Sequence, residues 1–182
     1  MGASGWRYAV AWDADIDGVV QRLRWQVFRA GEYYRESDDE LGDCRMAQSE
    51  AEFEATLRPR DEDSGINDAL RDAWRQARDR VSRGAPGTPD ELVDAQPYSG
   101  THSVIDMVKG VRSRPEMFAV SPLTDQELLA AFGTTTPDDQ AVTAWLDGGA
   151  AWDLRERWQG LYVIGYLDGA PARVHLVGSS GD

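Results

Sequence analysis

The order of strand-like and helix-like segments constrains the fold of this 182-residue chain more than any other sequence feature. A first strand is predicted for residues 6–12 (WRYAVAW), which are rich in aromatic and β-branched side chains. Two strands joined by a turn are predicted within residues 161–182, and two more at 103–111 and 116–120. Helical signals separate these five segments unevenly, so the chain lacks the regular strand–helix alternation of a doubly wound sheet.

Side-chain capping signals mark the helices between the predicted strands. Residues 13–31 have apolar side chains at helical spacing, with Asp13 or Asp15 as the N-cap and Gly31 at the C-terminal end. Further N-cap residues are predicted at Ser49, Asn67, Thr88, Thr124 and Thr136, and a last short helix is predicted at 151–159.

These signals together predict the fold class. We expect an α+β fold, in which an antiparallel or mixed sheet of about five strands has helices packed mainly on one face. A chain of 182 residues is long enough for one domain with a proper core. We therefore expect a single domain over residues 1–182, with residues 35–97 as an acidic, helical insertion.

The formal charge of −13 excludes several classes of partner. Such a surface repels nucleic acids and anionic membranes, so we expect neither as a partner. No apolar run approaches the roughly 20 residues that span a bilayer, and no basic segment followed by an apolar one opens the chain. A single cysteine, Cys44, agrees with a reducing compartment. We expect a soluble, cytoplasmic protein.

The acidic excess is concentrated in one segment. Residues 35–64 contain eleven Asp or Glu and four Arg, a net charge of −7. Two tyrosines directly precede it, and aromatic anchors beside charge that speeds association are typical of a docking surface for a basic protein. A solvated surface loop is the simpler interpretation. The candidate partner-binding residues here are Tyr33, Tyr34, Asp38, Asp39 and Glu40.

The stretch SGTHSVID (99–106) places one of only two histidines beside hydroxyl and carboxylate groups. On a straight strand, His102 and Asp106 would share a face but lie about 13 Å apart, too far for a dyad. Ser103 would point to the opposite face, away from activation by its neighbour. Two interpretations remain open. The hydroxyls and His102 tie down a turn while Asp106 pairs with an arginine, or His102, Ser103 and Asp106 line a ligand-binding or acid–base site.

Several segments resemble a family of uncharacterised bacterial proteins with a Gly-Thr-His-Ser-x-x-Asp segment and a Ser-Gly-Asp end. The segments that carry the resemblance are GTHSVIDMVKGV (100–111), AVSPLTDQELLAAFGTTTP (119–137), ERWQGLYVIGYLDG (156–169) and VGSSGD (177–182). The resemblance covers mainly residues 1–34 and 98–182 and implies no activity. It implies that residues 35–97 are the variable part.

The second histidine is placed by the predicted C-terminal hairpin. If residues 168–171 form a four-residue loop, Ile164 faces His175, and one face of the hairpin is apolar while the other is semi-polar. We expect the semi-polar face to be exposed, or to line a groove that touches a partner. Gly165 in mid-strand predicts close packing by a helix, or a bulge. The candidate partner-binding residues on this face are Tyr166, Arg173 and His175.

The remaining chemical signals point to no cofactor. Two distant histidines and one cysteine do not supply a usual zinc set, and neither GxxxxGK[ST] nor GxGxxG occurs. The terminal GSSGD (178–182) has the glycines and hydroxyls of an anion nest, but we expect a frayed tail. We therefore expect no metal site and no cofactor.

Three classes of function are compatible with these features. We favour a non-catalytic binding module, immunity-type or regulatory, whose acidic segment recognises a basic partner protein. The alternative is a small enzyme or small-molecule-binding protein with a pocket near His102 and Asp106. The third is a homo-oligomeric assembly component, with Trp145, Trp152 and Trp158 in its interface.

Overall fold

A computed structural model describes residues 4–35, 49–55, 57, 65–68, 70–72, 74–75, 85–96 and 99–180. The chain folds into two compact units, one formed by Met1–Tyr34 with Thr88–Asp182 and the other by Arg35–Gly87. No helix within the described ranges is long and apolar enough to cross a membrane.

The secondary structure follows the predicted order closely at the helices and less closely at the strands. In chain order the elements are β1 (Ser4–Ala11), α1 (Ile16–Ala30), α2 (Glu50–Glu54), α3 (Pro89–Ala95), a 3-10 helix (Val104–Asp106), β2 (Ala119–Pro122), α4 (Asp125–Phe132), α5 (Asp139–Asp147), a second 3-10 helix (Trp152–Leu154), β3 (Gln159–Leu167) and β4 (Ala170–Ser180).

The larger unit is built on a mixed sheet of four strands in the order β1-β4-β3-β2. β4 is antiparallel to both neighbours, and β2 is parallel to β3. The α+β class is confirmed, but the sheet has four strands and not about five. The strand predicted at 103–111 is instead the first 3-10 helix and a loop, because local side-chain hydrogen bonds hold the backbone in a turn.

Helices cover both faces of this sheet, so the prediction of helices mainly on one face is wrong. We name the two sides the Trp6 face and the His175 face. Apolar residues of α1, α3 and the first 3-10 helix pack on the Trp6 face, against Trp6, Val174 and Leu176. Residues of α5 pack on the His175 face, against Leu161, Val163 and Val177. The inner strands contain apolar residues on both sides, and each side must be covered.

The predicted helix ends agree well with the structure because they depend on contacts within a few residues. The Asp15 carboxylate accepts a hydrogen bond from Gly18 N at the start of α1, and Gly31 ends the helix at φ 71°. Thr124 and Glu127 form the predicted capping box of α4. α5 begins after Asp138 and not at Thr136, because the Asp138 side chain accepts from Gln140 N.

Two paired glycines leave room for Trp6 on its face of the sheet. Trp6 pairs with Gly178, which also pairs with Gly160 on the other side. A Cβ atom at Gly160 would lie 3.0 Å from the indole, and one at Gly178 would overlap it. The Trp6 side chain is 5% exposed. β4 extends to Ser180, so the prediction of a frayed tail is wrong for residues 178–180. Residues 181–182 lie outside the described residues.

The smaller unit has a separate apolar contact. Residues 66–68, 70–72 and 74–75 are helical, and α2 begins with the predicted capping box of Ser49 and Glu52. The Phe53 and Trp74 rings stack with centroids 5.2 Å apart. Arg71 donates to both carboxylate oxygens of Glu54, at 2.8 and 3.0 Å.

Candidate functional site

The residues of the GTHSVID segment form a tight, buried turn. The Asp106 carboxylate accepts a hydrogen bond from Thr101 N at 2.8 Å, and Ser103 Oγ accepts from Ile105 N at 3.2 Å. The hydroxyls of Thr101 and Ser103 lie 2.8 Å apart. His102 has a left-handed backbone, with φ 51°. The straight strand that would separate His102 from Asp106 by about 13 Å does not form, so that expectation is wrong.

Asp106 is the buried centre of this turn and has 0% exposure. Burial raises the pKa of the Asp106 carboxyl, and nearby hydrogen-bond donors from Ser180, Thr101 and Ser103 oppose that rise. The Oδ2 atom and the Ser180 hydroxyl are both buried, and neither forms a well-aligned hydrogen bond within the described part of the chain. Asp106 thus binds the backbone of its own turn. No described arginine forms the ion pair that the simpler interpretation expected. The alternative of a small-molecule pocket near His102 and Asp106 stays a prediction.

Arg24 of α1 donates a hydrogen bond to the backbone of the same turn. Arg24 was not among the candidates predicted from the sequence. Its Nε donates to the carbonyl oxygen of Ile105 at 2.9 Å, and its Nη2 pairs with Asp90 of α3 at 2.5 Å. The Arg24 side chain is only 4% exposed. The signal was present, because Arg24 stands four residues after Val20 and therefore on the buried stripe of the helix.

We expect Arg24→Met to lower the free energy of unfolding by about 1–2 kcal/mol, since it leaves the buried Ile105 carbonyl without its donor. Chemical denaturation measures the change. Arg22→Met is the matched control, because Arg22 is 61% exposed and pairs with Asp13 at the surface. Equal stability of the two variants would show that Arg24 does not hold the turn.

Tyr34, a candidate beside the acidic segment, contacts His102, a candidate of the GTHSVID segment, at this turn. The Tyr34 ring stacks on the His102 ring with centroids 4.4 Å apart and planes 11° apart. Tyr34 N donates to Thr101 O at 2.8 Å, and Gln96 donates from its side chain to the carbonyl oxygens of Tyr34 and Gly100. The chain separates Tyr34 from His102 by almost seventy positions, so only the tertiary structure brings them together.

A second group of rings lies at the C-terminal end of α1. Phe28 stacks on Tyr33 with centroids 6.0 Å apart and meets Trp25 edge-on at 5.9 Å. The Arg29 guanidinium lies 5.3 Å from the Trp25 ring centroid, and Trp25 is 39% exposed. Tyr33 and Tyr34 are consecutive residues, so the two groups of rings adjoin along the chain. We name the two groups together the α1 aromatic surface; its members are Trp25, Phe28, Tyr33, Tyr34 and His102. An open cleft of about 550 Å³ borders it, lined by Gln21, Arg22, Trp25, Gln26 and Arg29.

The acidic candidates Asp38, Asp39 and Glu40 lie outside the described residues. Their part in binding stays a prediction. Among the residues that the structure describes, no group of three or more His, Cys, Asp or Glu side chains is placed to hold a metal ion.

The predicted environment of His175 is wrong. β3 and β4 are joined by a two-residue turn at Asp168 and Gly169, and a bulge follows Gly165, so Val163 and not Ile164 pairs with His175. A shift of one residue exchanges the two faces of a strand. His175 is therefore 3% exposed, and its Nε2 lies 2.7 Å from Asp139 Oδ1.

Arg173 is exposed as predicted, with 57% of its side chain accessible, and Tyr166 is half-buried. Arg173 Nε lies 3.7 Å from Asp139 Oδ2, on the same side of the sheet as His175. Tyr166 lies beyond the bulge, where its backbone N–H donates to the carbonyl oxygen of Pro137. The three residues thus connect the hairpin to the start of α5 and the residues just before it. The part of Tyr166, Arg173 and His175 in partner binding stays a prediction.

Gly165 combines both features expected of it, since α5 packs against it and a bulge follows it. We expect Gly165→Ala to cost about 2 kcal/mol of stability through overpacking. The new Cβ would lie 2.5 Å from Asp139 Oδ1 and 3.0 Å from the Asp139 backbone. Thermal denaturation tests this against Gly148→Ala, whose nearest neighbour would be 3.5 Å away. A Gly165 variant as stable as the Gly148 variant would contradict this packing.

Comparisons with protein-family models, with curated proteins and with solved structures find no match to this chain. The resemblance to uncharacterised bacterial proteins therefore stays a prediction.

Proposed function

We propose that this chain is a non-catalytic, acidic protein-binding module, immunity-type or regulatory, that recognises a basic partner protein. One observation carries the proposal: the α1 aromatic surface leads directly into the most acidic part of the sequence. Tyr34 belongs to this surface, and the next residues in the sequence, 35–64, have a net charge of −7.

The chemistry of this surface supports binding to a protein. Aromatic side chains and arginine are enriched in the few residues that supply most binding energy at interfaces. Ring stacking and the hydrogen bonds of Tyr34 hold the rings in place before a partner arrives, which lowers the entropic cost of association. The negative charge of residues 35–64, which follow Tyr34 in the sequence, would accelerate encounter with a basic protein.

The first experiment identifies and then measures the partner. The tagged chain is incubated with native lysate at low and high salt, and retained proteins and small molecules are identified by mass spectrometry. We expect a basic protein at about 50 mM salt that is lost at about 500 mM, because salt screens exposed charges. Neutralising Asp38, Asp39 and Glu40 together should slow its association. A co-purifying small molecule, or self-association alone, would overturn the proposal.

Trp25→Ala should raise the Kd of the purified partner by at least about tenfold, mainly through faster dissociation. The control is Leu129→Ala, which removes an apolar side chain that is 53% exposed on α4. Surface plasmon resonance gives both rate constants. Equal affinities of the two variants would remove the α1 aromatic surface from the binding site.

A further inference from the structure

The outer edge of β1 has backbone groups without partners among the described residues. Trp12 N donates to Ala172 O at 3.0 Å, directly beyond the Ala11–Arg173 pair. Because hydrogen-bonded pairs alternate along an antiparallel ladder, the even-numbered residues of β1 bond to β4. The N–H and C=O groups of Gly5, Arg7, Ala9 and Ala11 therefore point away from the sheet, and no described residue bonds to them.

The opposite edge of the sheet is protected. β2 has four residues and ends in Pro122. Val120 N donates to Gly110 O, and Arg112 N donates to Val120 O, each at 2.9 Å. Short strands, proline and covering loops are the usual protection against unwanted strand pairing.

β1 has none of these protections within the part of the chain that the structure describes. It has eight residues, without proline or a bulge in its pairing with β4. Its single charged side chain, Arg7, is neutralised by Asp147 at 2.6 Å. The outward-facing backbone groups belong to residues that are exposed. Ala9 and Ala11 have small side chains, whereas the Trp152 ring packs against Gly5. An extended peptide can therefore approach this backbone closely.

We propose that β1 binds an extended segment of the basic partner, which adds to the sheet as a fifth strand. This inference rests on the proposed function. Charge favours a basic segment over a second copy, because two chains of charge −13 repel each other. Tyr8 of β1 packs against the same core as Phe28 and Tyr33 of the α1 aromatic surface, so this strand lies near that surface.

The test uses a synthetic peptide of about ten residues that alternates lysine and valine, a pattern suited to an added strand. A second peptide has the same sequence and charge but N-methylated amides, which do not donate hydrogen bonds. We expect the first peptide to slow amide exchange at Arg7 and Ala9 by at least about tenfold, as measured by NMR, and the methylated peptide to leave exchange unchanged.

Ala9→Pro and Ala9→Thr are the matched variants. The Ala9 N–H points outward, so proline there removes a group that the added strand needs and no bond of the existing ladder. We expect Ala9→Pro to weaken peptide binding by at least about tenfold and Ala9→Thr to bind like the parent. If Ala9→Pro does not fold, the comparison of the two peptides on the parent chain decides.

Three outcomes would overturn the inference. Equal binding of both peptides would show attraction by charge alone, which agrees with the proposed function but not with strand addition. Absence of peptide binding would reject strand addition. The proposed function would still be tested by the effect of Trp25→Ala on the Kd of the partner retained from lysate. Dimerisation that Ala9→Pro abolishes in sedimentation experiments would assign the edge to a second copy of this chain.

Discussion

Trp6→Ala is expected to lower the free energy of unfolding by about 3–5 kcal/mol, the range for truncating a large buried aromatic side chain. The indole lies across Gly160 and Gly178 and is surrounded by the core of the Trp6 face. Its removal leaves a cavity that the rigid strands β3 and β4 cannot close. Urea denaturation followed by far-UV circular dichroism measures the loss. Trp12→Ala is the control, because Trp12 is 38% exposed.

The pairing of Trp6 with Gly178 predicts strong coupling in a double-mutant cycle. Gly178→Ala alone should be severely destabilising, since its Cβ would overlap the indole. In the Trp6→Ala background the same substitution should cost less, although the carbonyl oxygen of Gln159 would still lie 2.9 Å from the new Cβ. Additive effects would show that the two residues do not share this space.

Asp106→Ala is expected to cost about 3 kcal/mol at pH 4, because it leaves the buried Thr101 N–H without its acceptor. Asp106→Asn should cost much less, since an amide oxygen can accept the same hydrogen bond. Urea denaturation at fixed pH compares the two variants. If both lose the same stability, the hydrogen bond to Thr101 does not hold the turn.

The asparagine variant should also differ from the parent in its dependence on pH. Burial raises the pKa of Asp106 above its ordinary value of 3.8, so the folded chain binds this proton more tightly than the unfolded chain. The parent therefore loses stability as the pH rises from about 3.8 through the folded-state pKa. Asp106→Asn does not titrate, and its stability relative to the parent should rise across that window. A constant difference from about pH 3 to about pH 8 would contradict the raised pKa.

Glu127 is a control for Asp106, because its pKa is lowered in the folded chain and not raised. The Arg155 guanidinium lowers the pKa of Glu127 from 4.5 to about 2. This ion pair stabilises the folded chain above pH 4.5, and the contribution is lost as the pH falls towards about 2. The difference between the parent and Glu127→Gln should therefore shrink on acidification, whereas the difference for Asp106→Asn follows the reverse trend.

The sequence alone predicted the α+β class and the ends of several helices. These features depend on contacts within about four residues, such as the carboxylate of Asp15 with Gly18 N or the hydroxyl of Thr124 with Glu127 N. Close packing at Gly165 was also predictable, because a strand position without a side chain indicates a near neighbour. Such features are predictable because they depend on interactions between residues that are close in the sequence.

The tertiary structure alone decided the bulge after Gly165, the burial of His175 and the stacking of Tyr34 on His102. The two-residue turn follows from local residues, because an Asp-Gly pair favours positive φ at both positions, and Asp168 and Gly169 have φ 51° and 79°. That turn alone would pair His175 with Tyr162, which shares a strand face with Ile164. The bulge after Gly165, where α5 packs, shifts the pairing to Val163 and places His175 in the core. Contacts between residues far apart in the chain depend on such choices, and neither composition nor local spacing contains them.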